Sequence, residues 1–222
     1  TCALPILRRG AAEPAALAPL LKDEDSEIRA QTAKVLGDAA AAGTAGLGAG
    51  LVPLVADASP RVRLQASIAL GKCREASAVD ALFALAERDG ADPVLRHAAA
   101  TGLAGCAGRA ELVARAVHPS TTVRLIAVVA LRRQGSPAVA EFLQDSDPLV
   151  VAEAARAIHD DASIPEALPA LAAALAGKSA DESAARRSIN AGLRIGTAEA
   201  AGRLAAYSLD ESAPAELRAE AL

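Results

Sequence analysis

Aromatic side chains are almost missing: the 222 residues hold two phenylalanines, one tyrosine and no tryptophan, and methionine is absent altogether. These are the usual bulky anchors and gap-fillers of a compact core. Their scarcity argues for thin layers packed at close range. Phe83, Phe142 and Tyr207 stand far apart in the chain, whereas base stacking needs aromatics in series. A basic excess is lacking too. The net charge is −4 and the pI near 5.5, so nothing offers the cationic face that phosphate tracking requires. We expect no nucleic-acid partner.

Cysteine is sparse and odd in number, at three, and no Cys-x-x-Cys or Cys-x-x-Cys-His spacing occurs. Cys73 and Cys106 lie 33 residues apart, which suits one structural position used twice better than a disulfide or metal pair. The three histidines, His97, His118 and His159, fall at unequal places in different stretches and give no convergent site. Gly177-Lys178-Ser179 ends like a phosphate loop, but Ala172 stands where its first glycine is needed. Gly46-x-Gly48-x-Gly50 has the wrong spacing for a dinucleotide turn. We expect no catalytic residue, metal site or cofactor in this segment. No apolar run is long enough to span a bilayer, so no membrane insertion is expected. Thr1 is not an initiator methionine and Leu222 falls in mid-pattern, as in a fragment of a longer chain.

What the sequence has in abundance is alanine, at 60 positions, and alanine favours helix. It also has a period. Pairs of an apolar residue and arginine recur at Ile28-Arg29, Val62-Arg63, Leu95-Arg96, Val123-Arg124, Ala185-Arg186 and Leu217-Arg218, with Val150-Val151 as an eroded copy. The intervals of 34, 33, 28, 27, 35 and 32 residues mark a stacked array of short units. Within each unit the anchor, anchor+4 and anchor+8 positions form columns: Ile28/Thr32/Leu36, Val62/Ala66/Leu70, Leu95/Ala99/Leu103, Val123/Ala127/Leu131, Val150/Ala154/Ile158 and Ala185/Ile189/Leu193. A spacing of four places each triplet on one helical face.

Each unit reads as two helices. A first helix holds Leu17, Leu20 and Leu21 around Pro19, repeated as Leu51, Leu54 and Val55 around Pro53. The prolines predict kinks. An acidic turn follows, often closed by proline, as in Asp57-Ala-Ser-Pro60 and Asp145-Ser-Asp-Pro148, which is the signature of a capped helix start. The second helix stops near Gly37, Gly71, Gly105, Gly135 or Gly196, as glycine C-caps do. The shorter copies four and five predict first helices, near Glu111–Val117 and Pro137–Gln144, that lose about a turn. The polar Gly177–Ser183 stretch predicts a mobile loop. Boundaries fall at roughly 11–43, 44–73, 77–107, 108–135, 136–162, 163–196 and 197–222, a single array over 1–222. Residues 1–10 read as the tail of a preceding unit.

The order Leu-x-Pro-Leu-x-x-Asp-x-x-x-x-Val-Arg-x-x-Ala-x-x-x-Leu-Gly, at Leu51 to Gly71, resembles the HEAT repeat and its shorter HEAT-like (PBS-lyase-type) variants. The resemblance implies an all-α superhelix of the HEAT/armadillo kind with six to seven helix pairs. The stretches Arg96-His97-Ala98-Ala99, Val151 to Asp160 and Arg186 to Arg194 further resemble the HEAT segment of planctomycete-type multidomain haem-c (PVC-type) dehydrogenases. That likeness implies a bacterial, periplasmic or secreted setting, against a cytoplasmic one otherwise, with the redox chemistry outside these residues.

The arginine column (Arg29, Arg63, Arg96, Arg124, Arg186, Arg218) faces a supply of acids in the turns (Asp23, Asp57, Asp89, Asp145, Asp210). Guanidinium and carboxylate match as planar forks. We expect a structural ladder rather than a cationic stripe for an anionic ligand. The second helices of copies five and six gain Glu153, Arg156, Arg187, Asn190 and Arg194, a candidate partner surface. There Asn190 is either a locally satisfied amide or a contact to a partner's backbone. The expected function is a non-catalytic scaffold that docks a protein partner or neighbouring domains of its own chain. The alternative is a HEAT-like bilin lyase-type enzyme or chaperone.

Overall fold

A computed structural model describes residues 13–160, 163–175 and 181–222. The expectations for residues 1–10, for Gly177-Lys178-Ser179 and for most of the loop around them lie outside these. The described residues form α-helices and 3₁₀ helices, and the fold is an all-α solenoid of HEAT/armadillo type. The chain packs as two compact units, one running to Gly108 and the other starting at Arg109.

In the first unit, 3₁₀ helices at Pro14–Lys22 and Ala49–Ala56 precede α1 (Ser26–Ala41) and α2 (Pro60–Cys73). Next come α3 (Val79–Asp89) and α4 (Pro93–Cys106). Helix α1 packs on α2, and α2 on α4, so the second helix of each copy stacks on the next. In the second unit, α5 (Arg109–Val113) runs into a 3₁₀ turn at Ala114–Val117 and leads to α6 (Thr121–Arg133). A 3₁₀ helix at Pro137–Gln144 precedes α7 (Pro148–His159). Helix α8 (Leu168–Ala174) is followed by α9 (Glu182–Ile195), α10 (Ala198–Leu209) and α11 (Ala215–Glu220). Here α6 packs on α7, and α9 on both α7 and α8.

The columns of copies two to five are core, whereas in copy one Thr32 and Leu36 are buried and the anchor Ile28 is 40% exposed. Val62, Ala66 and Leu70 are fully buried, as are Val150, Ala154 and Ile158, and the triplets of α4 and α6 are close behind. Alanine in the middle row lets one helix lie against the next without the separation a longer side chain imposes. Copy six departs from the expected register: Leu193 is 53% exposed. Ala185 and Ile189 of the expected column are buried, together with Ala184, Ser188, Ala191 and Gly192. In the other copies the anchor stands three residues past the N-cap (Asp25, Ser59, Asp92, Ser120, Asp147). The N-cap of α9 is Asp181, so the anchor of copy six is Ala184, one residue earlier than the Ala185-Arg186 pair suggests.

Kinked first helices are expected from Pro19 and Pro53, but the whole of each element is 3₁₀. Proline deletes an i→i−4 donor. It is not the only cause, because Pro137–Gln144 is also 3₁₀ with proline only at its start. Copy four loses about a turn: Arg109–Val113 and Ala114–Val117 give its first element nine residues, where Ala76–Ala78 and Val79–Asp89 give copy three fourteen. Copy five does not, since Pro137–Gln144 is as long as Ala49–Ala56. Its missing residues come out of the loop: residues 42–48 separate α1 from the next element, whereas only residues 134–136 separate α6 from Pro137.

Glycines divide into two kinds. Gly196 caps α9 at φ +63° and Gly135 takes φ +61° after α6, the left-handed conformation that glycine adopts without a Cβ penalty. Gly37, Gly71 and Gly105 instead lie inside helices. Helix α2 is closed by Arg74 at φ +54°. The internal glycines are points of contact: a Cβ on Gly37 would meet the Cβ of Ala69 at 2.6 Å, and one on Gly71 the Thr101 carbonyl oxygen at 2.8 Å. Gly202, in the middle of α10, has nothing within 4 Å of a built Cβ. Gly202→Ala is therefore expected to stabilise the protein by about 0.5–1 kcal/mol, the helix-propensity gain, read as a higher urea midpoint. A lower midpoint would show a contact at that position.

Candidate functional site

The arginine column reaches into the turns. Arg29 donates from Nε and Nη2 to both carboxylate oxygens of Asp57, each at 2.8 Å, and from Nη1 to the Asp23 and Glu24 carbonyls. Arg124 grips Asp145 the same way, at 2.7 and 3.0 Å, and donates to the His118 and Pro119 carbonyls. Each guanidinium thus ties its own turn to the aspartate of the next copy. Arg63 donates to the Asp57 and Ala58 carbonyls. Its Nε lies 3.2 Å from Asp89 Oδ2 at an angle that makes no hydrogen bond. The Arg29 guanidinium holds the Asp57 carboxyl below the usual range.

Among the described residues, two arginines of the column meet only backbone. Arg96 donates to the Gly90 carbonyl and Arg218 to the Ser208 carbonyl. The aspartates of this column also accept from the N–H two residues on: Asp23 from Asp25, Asp57 from Ser59, Asp145 from Asp147 and Asp210 from Ser212. In copy four the acceptor is the Nδ1 of His118, at 3.2 Å from the Ser120 nitrogen. His118 is the imidazole version of the turn aspartate. A search of this column for acids alone passes over it.

Copy six, like copy five with Val151, lacks the ladder arginine: Ala185 stands four past the N-cap, where copies one to four carry it. Arg186, one further, spreads over Glu182, Glu216 and Glu220. Arg187, two further, turns back to α7 and binds Asp160 through Nε at 2.9 Å and Nη2 at 2.8 Å. Asp160 also faces His159 Nδ1 at 3.0 Å, and His159 Nε2 lies 3.3 Å from Asn190 Oδ1. These side chains, with Ser183, Arg186 and Glu220, line an open groove of about 280 Å³ in the second unit.

Of the candidate partner-surface residues, Arg187 and Asn190 thus come together. Glu153 sits between Arg132 and Arg156, at 3.7 Å from each. Arg194 is exposed on α9. Sequence inspection gives His159 and Asp160 no role. Only the packing of α7 against α9 brings the end of one helix beside the middle of the other.

The Asp160 carboxyl is held down to about 2, chiefly by the Arg187 guanidinium, with His159 adding to it against the opposing pull of burial. A carboxyl lowered from an unfolded value of about 3.9 adds stability above that value. The contribution is lost as pH falls through the folded value. Arg187→Met is therefore expected to flatten the loss of stability between about pH 4 and about pH 2, measured by urea unfolding at successive pH values. An unchanged slope would remove Asp160 from the acid response.

Cys73 and Cys106 close α2 and α4 at equivalent places. Both thiols are free, and burial pushes the Cys106 thiol up to about 12, which makes it a poor nucleophile. Among the described residues no group of His, Cys, Asp and Glu could hold a metal ion, and no helix is long and apolar enough to cross a membrane.

A family model described as HEAT repeats matches residues 13–104. A comparison with curated proteins gives no match. Among solved structures, the complex of CpcE and CpcF of phycocyanin lyase from Nostoc sp. PCC7120 is 23% identical over 95% of this chain and 85% of that one, with a TM-score of 0.47. The archaeal HEAT-like repeats protein from Thermococcus onnurineus NA1 is 15% identical over 99% and 86%, with a TM-score of 0.49. Human deoxyhypusine hydroxylase in complex with glycerol is 21% identical over 99% and 85%, with a TM-score of 0.40.

These likenesses are of fold alone. They also correct one expectation. A lyase and a hydroxylase stand among the similar structures, so the assignment of this segment as non-catalytic is withdrawn. The physical reason is that the recurring positions fix only core and turns, while chemistry depends on side chains at the variable positions.

Proposed function

We propose that the chain is a protein-interaction module whose partner surface is the groove of the second unit, with the neighbouring Glu153, Arg156, Asn190 and Arg194. One observation carries this. The variable positions of α7 and α9 converge on a polar, open cleft, while the recurring positions are consumed by packing and by the turns. Partners are recognised by hydrogen bonding to Asn190 and by the charges around it. A photo-crosslinking residue placed at Asn190, with another at the exposed Lys34 of α1 as control, tests the surface. One defined crosslinked protein from position 190, lost on adding Arg194→Glu, is the expected result. Crosslinks from position 34 alone would move the surface elsewhere.

Two finer assignments belong with this. The sequence resemblance supports placing the array inside a multidomain haem-c dehydrogenase, and the full open reading frame tests that through a Cys-x-x-Cys-His or a propeller domain beside it. The shared fold with the phycocyanin lyase complex favours a second function, a bilin lyase-type enzyme or chaperone. Purified chain mixed with free bilin distinguishes it. A stoichiometric chromophore adduct in the visible spectrum supports the lyase, and the spectrum of unaltered bilin rejects it.

A further inference from the structure

In the groove of the second unit a chain of side-chain contacts runs from Arg187 through Asp160 and His159 to the exposed amide of Asn190. Asp160 Oδ1 lies 3.0 Å from His159 Nδ1, and the same carboxylate takes both donors of Arg187. An ionised carboxylate only accepts hydrogen bonds. Asp160 stays ionised through the whole neutral range, so the Nδ1 of His159 must carry a proton. The tautomer of the neutral ring is thereby fixed, and Nε2 is left as an acceptor.

At 3.3 Å from Nε2 sits the side-chain oxygen of Asn190. Oxygen toward the ring suits the doubly protonated imidazole, whose Nε2–H donates to it. With the neutral ring, two acceptors would face each other. The amide must then turn over so that Nδ2 donates to Nε2. Asn and Gln amides are set by such networks.

We propose that His159 selects which half of the Asn190 amide the groove offers a partner: the carbonyl oxygen when the imidazole is neutral, the NH₂ when it is protonated. Asn190 is exposed, so the half turned away from the ring meets whatever enters. The neutral groove accepts from an N–H donor. The protonated groove donates to a carboxylate or peptide carbonyl, and its extra positive charge acts in the same direction.

The charges facing His159 are those of Asp160 beside it, Arg186 and Arg187 on α9, and Glu220 on α11. One turn back on α7, Glu153 and Arg156 face each other. The arginines are engaged with acids.

The proposal deepens the partner-surface assignment and rests on it for its use in binding. Its test reads only the ring and the amide, so a switch without a partner and a partner without a switch are told apart. The ¹⁵N-labelled full chain is titrated by NMR from about pH 8 to about pH 5. The neutral His159 ring is expected to carry its proton on Nδ1, and the Asn190 NH₂ signals to move along the His159 titration curve. In His159→Gln the Asn190 signals should lose that pH dependence. A neutral ring protonated on Nε2, or Asn190 signals that stay fixed while His159 titrates in the wild-type chain, would overturn the proposal without recourse to the variant.

Discussion

Arg124→Ala is expected to cost about 3–5 kcal/mol, the range for removing one partner of a buried ion pair, and to lower the melting temperature by roughly 6–20 °C. The side chains of Arg124 and Asp145 are 10% and 3% exposed. Removing the guanidinium leaves the Asp145 carboxylate out of water with the Asp147 N–H as its remaining donor. The His118 and Pro119 carbonyls lose their donor as well. Most of the loss is the cost of the stranded carboxylate rather than the net worth of the pair. Asp145→Asn added to Arg124→Met should therefore restore part of it, because a neutral amide is cheaper to bury. Differential scanning calorimetry of the three proteins decides this. A double variant no more stable than Arg124→Met would mean that the carboxylate is not what is stranded. Arg63→Ala should cost less, since Arg63 holds Asp89 through one unaligned contact and Asp89 keeps Arg88 as a second partner.

Gly105→Ala should destabilise by about 2 kcal/mol, the upper end of the clash cost less the helix-propensity gain. A Cβ there would lie 2.1 Å from the Gly71 carbonyl oxygen, 2.7 Å from its carbon and 2.8 Å from its Cα. All three are backbone atoms and cannot rotate away. Two effects oppose each other. Alanine is favoured over glycine in a helix by about 1 kcal/mol, while forcing atoms into a filled contact costs typically about 1–3 kcal/mol and occasionally more. At 2.1 Å the clash wins, because α2 and α4 must separate along their contact. Gly102→Ala should follow it, with a Cβ at 2.6 Å from the Ser67 carbonyl oxygen. Urea unfolding reads both. A Gly105→Ala protein as stable as the wild type would show that the two helices do not approach as described.

The period made most of the core visible in advance. Any residue spaced four and eight from Val62 or Val150 is inside, because stacking like on like repeats the same environment. Where one sequence feature has two physical causes, the pattern misleads. Glycine near a helix end signals a left-handed cap, as at Gly196, or a close approach, as at Gly105, and only the neighbouring helix tells which. The register of copy six was hidden by its two adjacent arginines and its small anchor; counting three from the capping Asp181 gives it. Arg187 and Asn190 stood out as polar intruders in an alanine-rich helix. His159 and Asp160 did not, since they sit 27 to 31 residues away in sequence. Their meeting with α9 depends on the fold.

The forward reach of the guanidinium, from Arg29 to Asp57 and from Arg124 to Asp145, bears on how such a chain can change its length. The two halves of each pair lie in different copies. Duplication of one whole copy by unequal recombination yields an arginine that meets the aspartate of the duplicate, and a duplicate whose arginine meets the old neighbour. Deletion closes up in the same way. Where a copy carries both the aspartate and the arginine, as copy two does with Asp57 and Arg63, neither event strands a charge, so copy number can drift where a single point substitution in the pair would be purged. Copy four, with His118 for aspartate, and copies five and six, with Val151 and Ala185 for arginine, are the places where that freedom has been given up.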